Sequence, residues 1–195
     1  MDRETELALV AGLRAGDAAA FDAVYDAFRA RLYAFLARLS RRRDVAEDLV
    51  EETWLRLVAS AARLAPDTRL GPWLFTVARN LYFSACRSRL LEETMAGDLL
   101  GLWPVVGRRP SPFEEVAASE LERRLERALA ALPPAAREAL LLVGVEGLTP
   151  SEAAAVCGVT PEAFRQRLSR ARGQLARELD ATGATVVPAW QGATT

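Results

Sequence analysis

Two residue types that commonly serve in active sites are absent from this chain. It contains no histidine and no lysine, so all 25 of its basic residues are arginine. The absence of histidine excludes the commonest general base, Ser–His and Cys–His nucleophiles and most zinc chemistry. Carboxylates alone can still catalyse reactions, but the sequence pairs none of them in an apolar stretch. We therefore predict no catalytic residues, no metal site and no cofactor, and expect a protein that is not an enzyme.

Cysteine and long apolar runs are also scarce. The two cysteines, Cys86 and Cys157, are widely separated, which argues against a disulfide framework or a cysteine zinc site. No apolar run approaches the roughly 18–20 residues of a membrane span, and the N-terminus lacks the pattern of a signal peptide. We expect a cytoplasmic protein without a membrane span. Cys157 is most simply a core residue, and a redox role is the alternative.

Residues 149–177 have the pattern of two capped helices joined by a glycine turn. Thr149, with Glu152 three residues later, forms the capping box of a first helix, and Thr160 caps a second. Gly158 supplies the permissive backbone between them. This order of caps and turn predicts a helix-turn-helix.

The second helix of this unit has an apolar stripe and a basic, polar face. At about 100° per residue, the stripe that must face a core consists of Phe164, Leu168, Ala171 and Leu175. The polar face and its arginine flanks consist of Glu162, Arg165, Gln166, Arg167, Ser169, Arg170 and Arg172. Glutamine and serine can reach base edges in the major groove, while arginines bind phosphates or guanine. A solvated basic helix is the alternative, but the capping, the turn and the charge together favour DNA binding.

The rest of the chain is patterned as one helix after another, which predicts an all-α fold. Apolar residues recur at helical intervals over 4–15, 17–39, 44–63, 72–91, 114–131 and 134–145. Asp17 and Asp44 are the expected first residues of two of these helices. Prolines and glycines without a sustained period predict a flexible linker over 93–113, and 181–195 has the composition of a flexible tail. We expect two helical domains, 1–92 and 114–180, joined by this linker.

Two surfaces of the first domain carry residues that a purely structural helix bundle does not need. Aromatic residues cluster around a predicted loop at 64–71, close in sequence to Arg79, Asn80 and Arg87. Most of these rings are expected in the core, but arginine and asparagine beside rings are also typical of a surface that grips an unstacked single strand. The helix that begins DVAEDLVEE carries too many carboxylates to bind the negatively charged DNA. The specific interpretation is that this face docks on another protein. The alternative is a solvated helix face whose carboxylates are favourable near the helix N-terminus.

Two parts of the chain resemble one known protein family. The segments DVAEDLVEETWLRL and GPWLFTVARNLYFSACRSR resemble region two of a bacterial extracytoplasmic-function (ECF) sigma factor. The segment LERALAALPPAAREALLLVGVEGLTPSEAAAVCGVTPEAFRQRLSRARGQL is similar to region four of the same family. The resemblance spans nearly all of 15–180 in the family's order. It implies a protein that binds core RNA polymerase and directs promoter-specific transcription initiation.

The resemblance also implies a role for each surface. The polar face of the second helix of the helix-turn-helix would read the minus-35 element. The residues expected at the melted minus-10 element are Asp67, Arg69, Trp73, Arg79, Asn80 and Arg87. Those expected on the clamp helices of the polymerase β′ subunit are Asp48, Glu51, Glu52 and Leu55. The family further implies contact with the β flap, a monomer when free, and control by an anti-sigma factor.

Two alternatives belong to other functional classes. A helix-turn-helix regulator that acts without core polymerase would share the basic helix, but it would not need the acidic helix or the linker, and it would usually be a dimer on paired half-sites. A helical scaffold that binds an acidic partner protein would show no steep dependence of DNA affinity on salt.

Overall fold

The computed structural model of the chain describes residues 1–95, 112–113 and 119–181, which form helices and turns without a strand. Its α-helices are α1 Arg3–Ala15, α2 Ala18–Ser40, α3 Arg43–Ser60, α4 Leu70–Met95, α5 Glu120–Ala131, α6 Pro134–Leu140, α7 Pro150–Cys157 and α8 Pro161–Ala181. A 3₁₀ turn, Ala61–Arg63, follows α3, and a π-helical turn, Leu141–Val145, follows α6. The predicted all-α fold class is confirmed.

The first four helices pack together through the apolar stripe of α2. Its buried members recur at helical spacing and are Val24, Phe28, Leu32, Phe35, Leu36 and Leu39. Each such side chain stabilises the fold by roughly 1.5–3 kcal/mol. Asp17 caps α2 as predicted, because its carboxylate accepts a hydrogen bond from the amide of Ala19. Phe21 and Tyr25 lie at the margin of the stripe, where the Tyr25 ring packs 4.9 Å from that of Trp54.

Three helix boundaries in this half differ by a few residues from the expected ones. α3 begins at Arg43, so Asp44 lies in its first turn instead of at its cap, and its carboxylate pairs with Arg42. That hydrogen bond lowers the pKa of Asp44 to about 2. α4 begins at Leu70, before the expected start, since Gly71 and Pro72 fall in the first turn, where a missing amide hydrogen is tolerated. It also continues to Met95, past the predicted start of the linker.

The second half consists of α5 to α8. α5 begins at Glu120 behind a capping box formed by Ser119 and Glu122. The predicted start at 114 lies outside the described residues. The single helix expected over 134–145 is an α-helix followed by the π-helical turn, after which Gly147 reverses the chain at a φ of 68°. α8 runs to Ala181, beyond the 177 at which the sequence pattern stopped.

The two halves pack against each other. α4 contacts α7 and α2 contacts α6, and buried apolar residues from both halves form one contiguous cluster. The buried guanidinium of Arg137 donates hydrogen bonds to the carbonyls of Arg38 and Leu39 at the end of α2. It also donates to carbonyls at the end of α5 and in the following turn, those of Leu129, Ala130 and Leu132. The predicted linker after Met95 and the tail after Ala181 lie outside the described residues, except for residues 112–113.

Within the described ranges, none of the helices combines the length and apolar character needed to cross a lipid bilayer.

Candidate nucleic-acid interface

The predicted helix-turn-helix is formed by α7 and α8. The Thr149 hydroxyl accepts a hydrogen bond from the Glu152 amide at 3.2 Å, and the Glu152 carboxylate accepts one from the Thr149 amide at 2.9 Å. Gly158 adopts a φ of 65°, and its N–H closes the end of α7 onto the carbonyls of Ala154 and Ala155. The Thr160 hydroxyl then accepts from the amide of Ala163. Both caps and the glycine turn are confirmed.

α8 has the two faces that the sequence predicts. Its apolar stripe is buried, with Phe164 and Ala171 fully enclosed. The exposed face carries Glu162, Arg165, Gln166, Ser169 and Arg170. Glu162 pairs with Arg165 at 2.8 Å, and it accepts a hydrogen bond from the side-chain Nε2 of Gln166 at 3.4 Å. The bond from Arg165 lowers the pKa of Glu162. Because this pair is exposed it contributes little to stability, so the arginine is available for a phosphate or a base.

Two predicted arginines do not lie on this open face. Arg172 is half-buried on α8. Arg167 is also half-buried, and its Nη1 lies 3.8 Å from Oε2 of Glu138 on α6. The helical period placed Arg167 beside the polar face correctly, but it could not reveal which neighbouring helix lies there.

The loop before α4 is tied to the rest of the molecule by ion pairs. Asp67 and Arg69 are both exposed, as a nucleic-acid contact requires. Arg69 lies 3.0 Å from a carboxylate oxygen of Glu6 on α1 and 3.3 Å from one of Glu152 on α7. Glu6 also accepts a hydrogen bond from the amide of Leu70, so it fixes the start of α4. Sequence reasoning missed Glu6, whose only signal is an acid on the buried side of α1.

The predicted minus-10 residues on α4 lie in different environments. Asn80 and Arg87 are exposed, and Trp73 is partly buried against the core. Arg79 was expected to be exposed, but only 21% of its side chain is accessible. Its guanidinium lies over the ring of Phe83, and its Nε donates to Oε1 of Glu138 at 2.7 Å.

The predicted polymerase-docking residues form a continuous exposed strip on α3. Asp48 and Glu51 are exposed, and Glu52 pairs with Arg56 one turn later. Leu55 is 63% exposed, and Val58, which sequence reasoning missed, is 60% exposed beside it. The spacing of Leu55 and Val58 by three residues was the available signal. Exposed apolar side chains bordered by carboxylates are typical of a protein-docking surface.

Glu138 is the least expected feature of the structure. Its side chain is fully buried, and Oε2 has no hydrogen-bond partner among the described residues. Burial raises its pKa, and the charge of Arg79 opposes that rise. Arg79 and Arg167, predicted for different DNA elements, both point at this carboxylate. The signal that sequence reasoning passed over is the charged pair Arg137–Glu138 inside the apolar run AAREALLLV.

Comparisons with known proteins match both halves of the chain. Residues 24–90 match the family described as Sigma-70 region 2, and residues 122–175 match the family described as Sigma-70, region 4. The first match covers α3 and most of α2 and α4, and the second covers α7 and most of α8.

Whole proteins of known identity agree with these matches. The chain is 36% identical to the ECF RNA polymerase sigma factor EcfG of Rhodopseudomonas palustris over 78% of this chain and 81% of that protein. It is 35% identical to the RNA polymerase sigma factor CarQ of Myxococcus xanthus, over 85% and 92% of the two chains. Among solved structures, the sigma factor RpoE of Bartonella quintana, in complex with the anti-sigma factor NepR, is similar with a TM-score of 0.61 at 32% identity. That match covers 76% of this chain and 89% of the other.

Proposed function

The chain belongs to the ECF family of RNA polymerase sigma factors. We propose which of its surfaces bind the polymerase and which bind the promoter. It binds core RNA polymerase and directs transcription initiation at specific promoters. We propose that it acts in the cytoplasm and catalyses no reaction of its own. The proposed division is region 2 over 1–92, a linker over 93–113, region 4 over 114–180 and a tail over 181–195.

The exposed polar face of α8 is proposed to read the minus-35 element, and this face is the observation that carries the assignment. A capped and buried helix presents Gln166 and Ser169 between Arg165 and Arg170, all exposed. The amide and hydroxyl suit base edges, and the arginines suit phosphates or guanine. Glu162, Arg167 and Arg172 flank this set and complete the proposed surface.

The loop before α4 and the exposed side of α4 are proposed to hold the melted minus-10 strand. Asp67 and Arg69 lie on the loop, and Trp73, Asn80 and Arg87 follow along the helix. Flipping a base out of the stack costs a few kcal/mol, and contacts with the polar and aromatic groups of a pocket must compensate for this cost. Arg79 joins this set only after it leaves Glu138.

The strip on α3 is proposed to dock on the β′ clamp helices. Its acidic members are Asp48, Glu51 and Glu52, and its apolar anchor is Leu55, which we extend by Val58. Negative charge here would be unfavourable against DNA, so the strip fits a protein partner with basic residues. The β flap is the second proposed polymerase contact.

An anti-sigma factor is the proposed regulatory partner. The similar sigma factor of Bartonella quintana is held in such a complex. A partner of this kind would cover the polymerase-docking and DNA-binding surfaces named above.

The experiment that tests this assignment is run-off transcription with core RNA polymerase on fragmented genomic DNA from the source organism, which also gives the promoter sequence. The double variant R165A/Q166A should lose about tenfold or more of its promoter-specific transcription, because each good base contact is worth roughly 1–3 kcal/mol. Its affinity for core polymerase, measured by co-purification, should not change.

The matched control is Q174A/R177A, which removes the same residue types from the other end of α8. This control should transcribe like the unmodified chain. If R165A/Q166A lost polymerase binding in parallel with transcription, the division between α8 and α3 would be wrong. If the unmodified chain gave no specific start sites with core polymerase, the promoter-reading assignment itself would fall.

A further inference from the structure

The loop proposed to hold the melted minus-10 strand is fastened to α1 by two side chains, Arg3 and Glu6. Both lie at the start of α1, whereas the match to Sigma-70 region 2 begins at residue 24. We propose that Arg3 and Glu6 are positioning residues for this loop: they fix its backbone over 67–70 before a flipped base arrives. The inference rests on the minus-10 role proposed above.

Arg3 binds the loop through its backbone. Its Nη2 donates to the carbonyl oxygen of Asp67 at 2.7 Å, and its Nη1 lies 3.5 Å from the carbonyl oxygen of Thr68. The same Nη1 donates to Oε2 of Glu6 at 2.7 Å. Because the donors of a guanidinium form a rigid fork, one side chain holds these oxygens in a single geometry. The contacts are to carbonyls, so the Asp67 side chain stays exposed at the surface of the loop.

Glu6 is the buried centre of the same group of contacts. Only 9% of its side chain is exposed. Its Oε1 accepts a hydrogen bond from the amide of Leu70 at 2.8 Å, and its Oε2 lies 3.0 Å from Nε of Arg69. Leu70 is the first residue of α4, so its amide has no partner inside the helix. The carboxylate therefore fixes the point at which the loop becomes α4.

The loop has few constraints of its own. Leu64 and Leu70 are buried at its two ends, and residues 65–69 between them are exposed or partly exposed. Thr68 binds back to the carbonyl oxygen of Ala65, through its amide at 3.0 Å and its hydroxyl at 2.7 Å. Ordering a flexible backbone opposes binding, so a loop that is held in advance binds its ligand more tightly. The contacts from α1 supply this hold for the second part of the loop.

The attachment of α1 to the helix bundle does not depend on Arg3. Val10 and Leu13 are buried in the core, and α1 packs against α2. The N-terminus of α1 has its own cap, because the Asp2 carboxylate accepts from the amide of Thr5 at 2.9 Å. What Arg3 adds beyond its link to Glu6 is contact with the loop.

The first test compares R3A and E6Q with the unmodified chain, each assembled with core RNA polymerase. The template is a promoter found by run-off transcription, with 2-aminopurine in its minus-10 element so that stopped-flow fluorescence reports opening. The affinity of the closed complex, taken from the dependence on promoter concentration, should change by less than about twofold. The rate constant of opening should fall about five- to tenfold in R3A. It should fall less in E6Q, since glutamine can still accept from the Leu70 amide.

The matched controls are R14A and E4Q, which change exposed residues of the same types on α1. Both should open the promoter at the unmodified rate. R3K should recover part of the rate that R3A loses, because lysine keeps the charge and can donate to a carbonyl. If R3A opened the promoter as fast as R14A, the positioning proposal would be wrong.

A second test separates positioning of the loop from support of the fold. On a promoter with a preformed bubble, each base of the non-template minus-10 strand is replaced in turn by an abasic site. Removal of the captured base should cost the unmodified holoenzyme about tenfold in affinity. With R3A the same abasic site should cost about twofold or less, because a loop that is not held gains less from the base. If R3A lost affinity by the same factor on every template, Arg3 would only support the fold and the proposal would be overturned.

The abasic series also distinguishes this proposal from the minus-10 assignment. If no abasic site weakens the unmodified holoenzyme, the loop captures no base and both are wrong. If one site weakens the unmodified chain and R3A alike, the minus-10 assignment stands and only the positioning proposal falls.

Hydrogen exchange of the free chain tests the hold on the loop directly. Peptides over 64–70 should exchange faster in R3A than in R14A, with unchanged exchange over 8–15. Equal exchange over 64–70 would mean that Arg3 does not hold the loop, and would overturn the proposal. If R3A loses helical content by circular dichroism, E6Q takes its place in all three measurements, with E4Q as its control.

Discussion

At the scale of single residues, the two cysteines differ in their environment and should differ in reactivity. Cys157 is buried on α7, and burial together with the nearby charge of Glu138 raises the pKa of its thiol to about 12. Cys86 is only partly buried on α4. Since the thiolate is the reactive species, alkylation by iodoacetamide near neutral pH should modify Cys86 first and Cys157 much more slowly. Mass spectrometry of peptides over time measures both rates.

The C86S variant serves as the control for this prediction. It should retain only the slow reaction, and unfolding in urea should make Cys157 fully reactive. A fast reaction that persists in folded C86S would contradict the burial of Cys157.

Single residues also mark where sequence reasoning succeeded and where it could not. Gln166 and Ser169 lie on the exposed face as predicted, because the face on which a residue lies follows from the regular period of the α-helix alone. Arg79 was placed on the correct helix but with the wrong exposure, since its partner Glu138 lies 59 positions away in sequence. A contact of that range depends on how helices pack, which no local pattern encodes.

At the scale of elements, the glycine turn between α7 and α8 controls the orientation of α8, the helix proposed to read the minus-35 element. Gly158 has a φ of 65°, and a Cβ built there meets nothing within 4 Å. The cost of G158A is therefore conformational and not steric. We expect the free energy of unfolding to fall by about 1–2 kcal/mol, the usual penalty for a residue with a side chain in the left-handed region. Urea denaturation followed by circular dichroism measures it.

A suitable control for G158A is G144A in the π-helical turn. Gly144 also has open space around its Cβ direction, but its φ is not positive. This change should leave stability within about 0.5 kcal/mol or raise it slightly. Equal losses in the two variants would mean that backbone strain at Gly158 is not the cause.

Element boundaries show a second limit of sequence reasoning. Gly71 was predicted to end the loop 64–71, with the helix beginning at Pro72, yet α4 begins at Leu70 and Gly71 lies in its first turn. Glycine adopts loop and helical conformations alike, so its presence does not fix the boundary. The caps at Asp17, Thr149 and Thr160 were predicted correctly because capping depends on residues only two or three positions apart.

At the scale of the whole molecule, the relation between the halves is the feature that the sequence did not reveal. Two domains and a linker follow from composition, but composition says nothing about whether the domains touch. Arg137 joins them, because its guanidinium donates to carbonyls at the end of α2 in one half, and at the end of α5 and in the α5–α6 turn in the other. Burial lowers its pKa to about 10, so it remains charged at neutral pH. The fork geometry of arginine is what allows one side chain to bind so many carbonyls.

The variant R137K tests whether the hydrogen bonds of Arg137 stabilise the whole molecule. A lysine ammonium cannot reach both sets of carbonyls, so the free energy of unfolding should fall by about 2 kcal/mol or more, as hydrogen bonds to a charged group are lost. Hydrogen exchange followed by mass spectrometry should show lost protection at the end of α2 and in the α5–α6 turn together.

The control R123K changes an exposed arginine that pairs with Glu120 on the same helix, and it should alter stability by less than about 0.5 kcal/mol. Loss of protection in the α5–α6 turn, with none in α2, would mean that Arg137 supports region 4 internally and that the apolar cluster and the ion pairs hold the halves together without it.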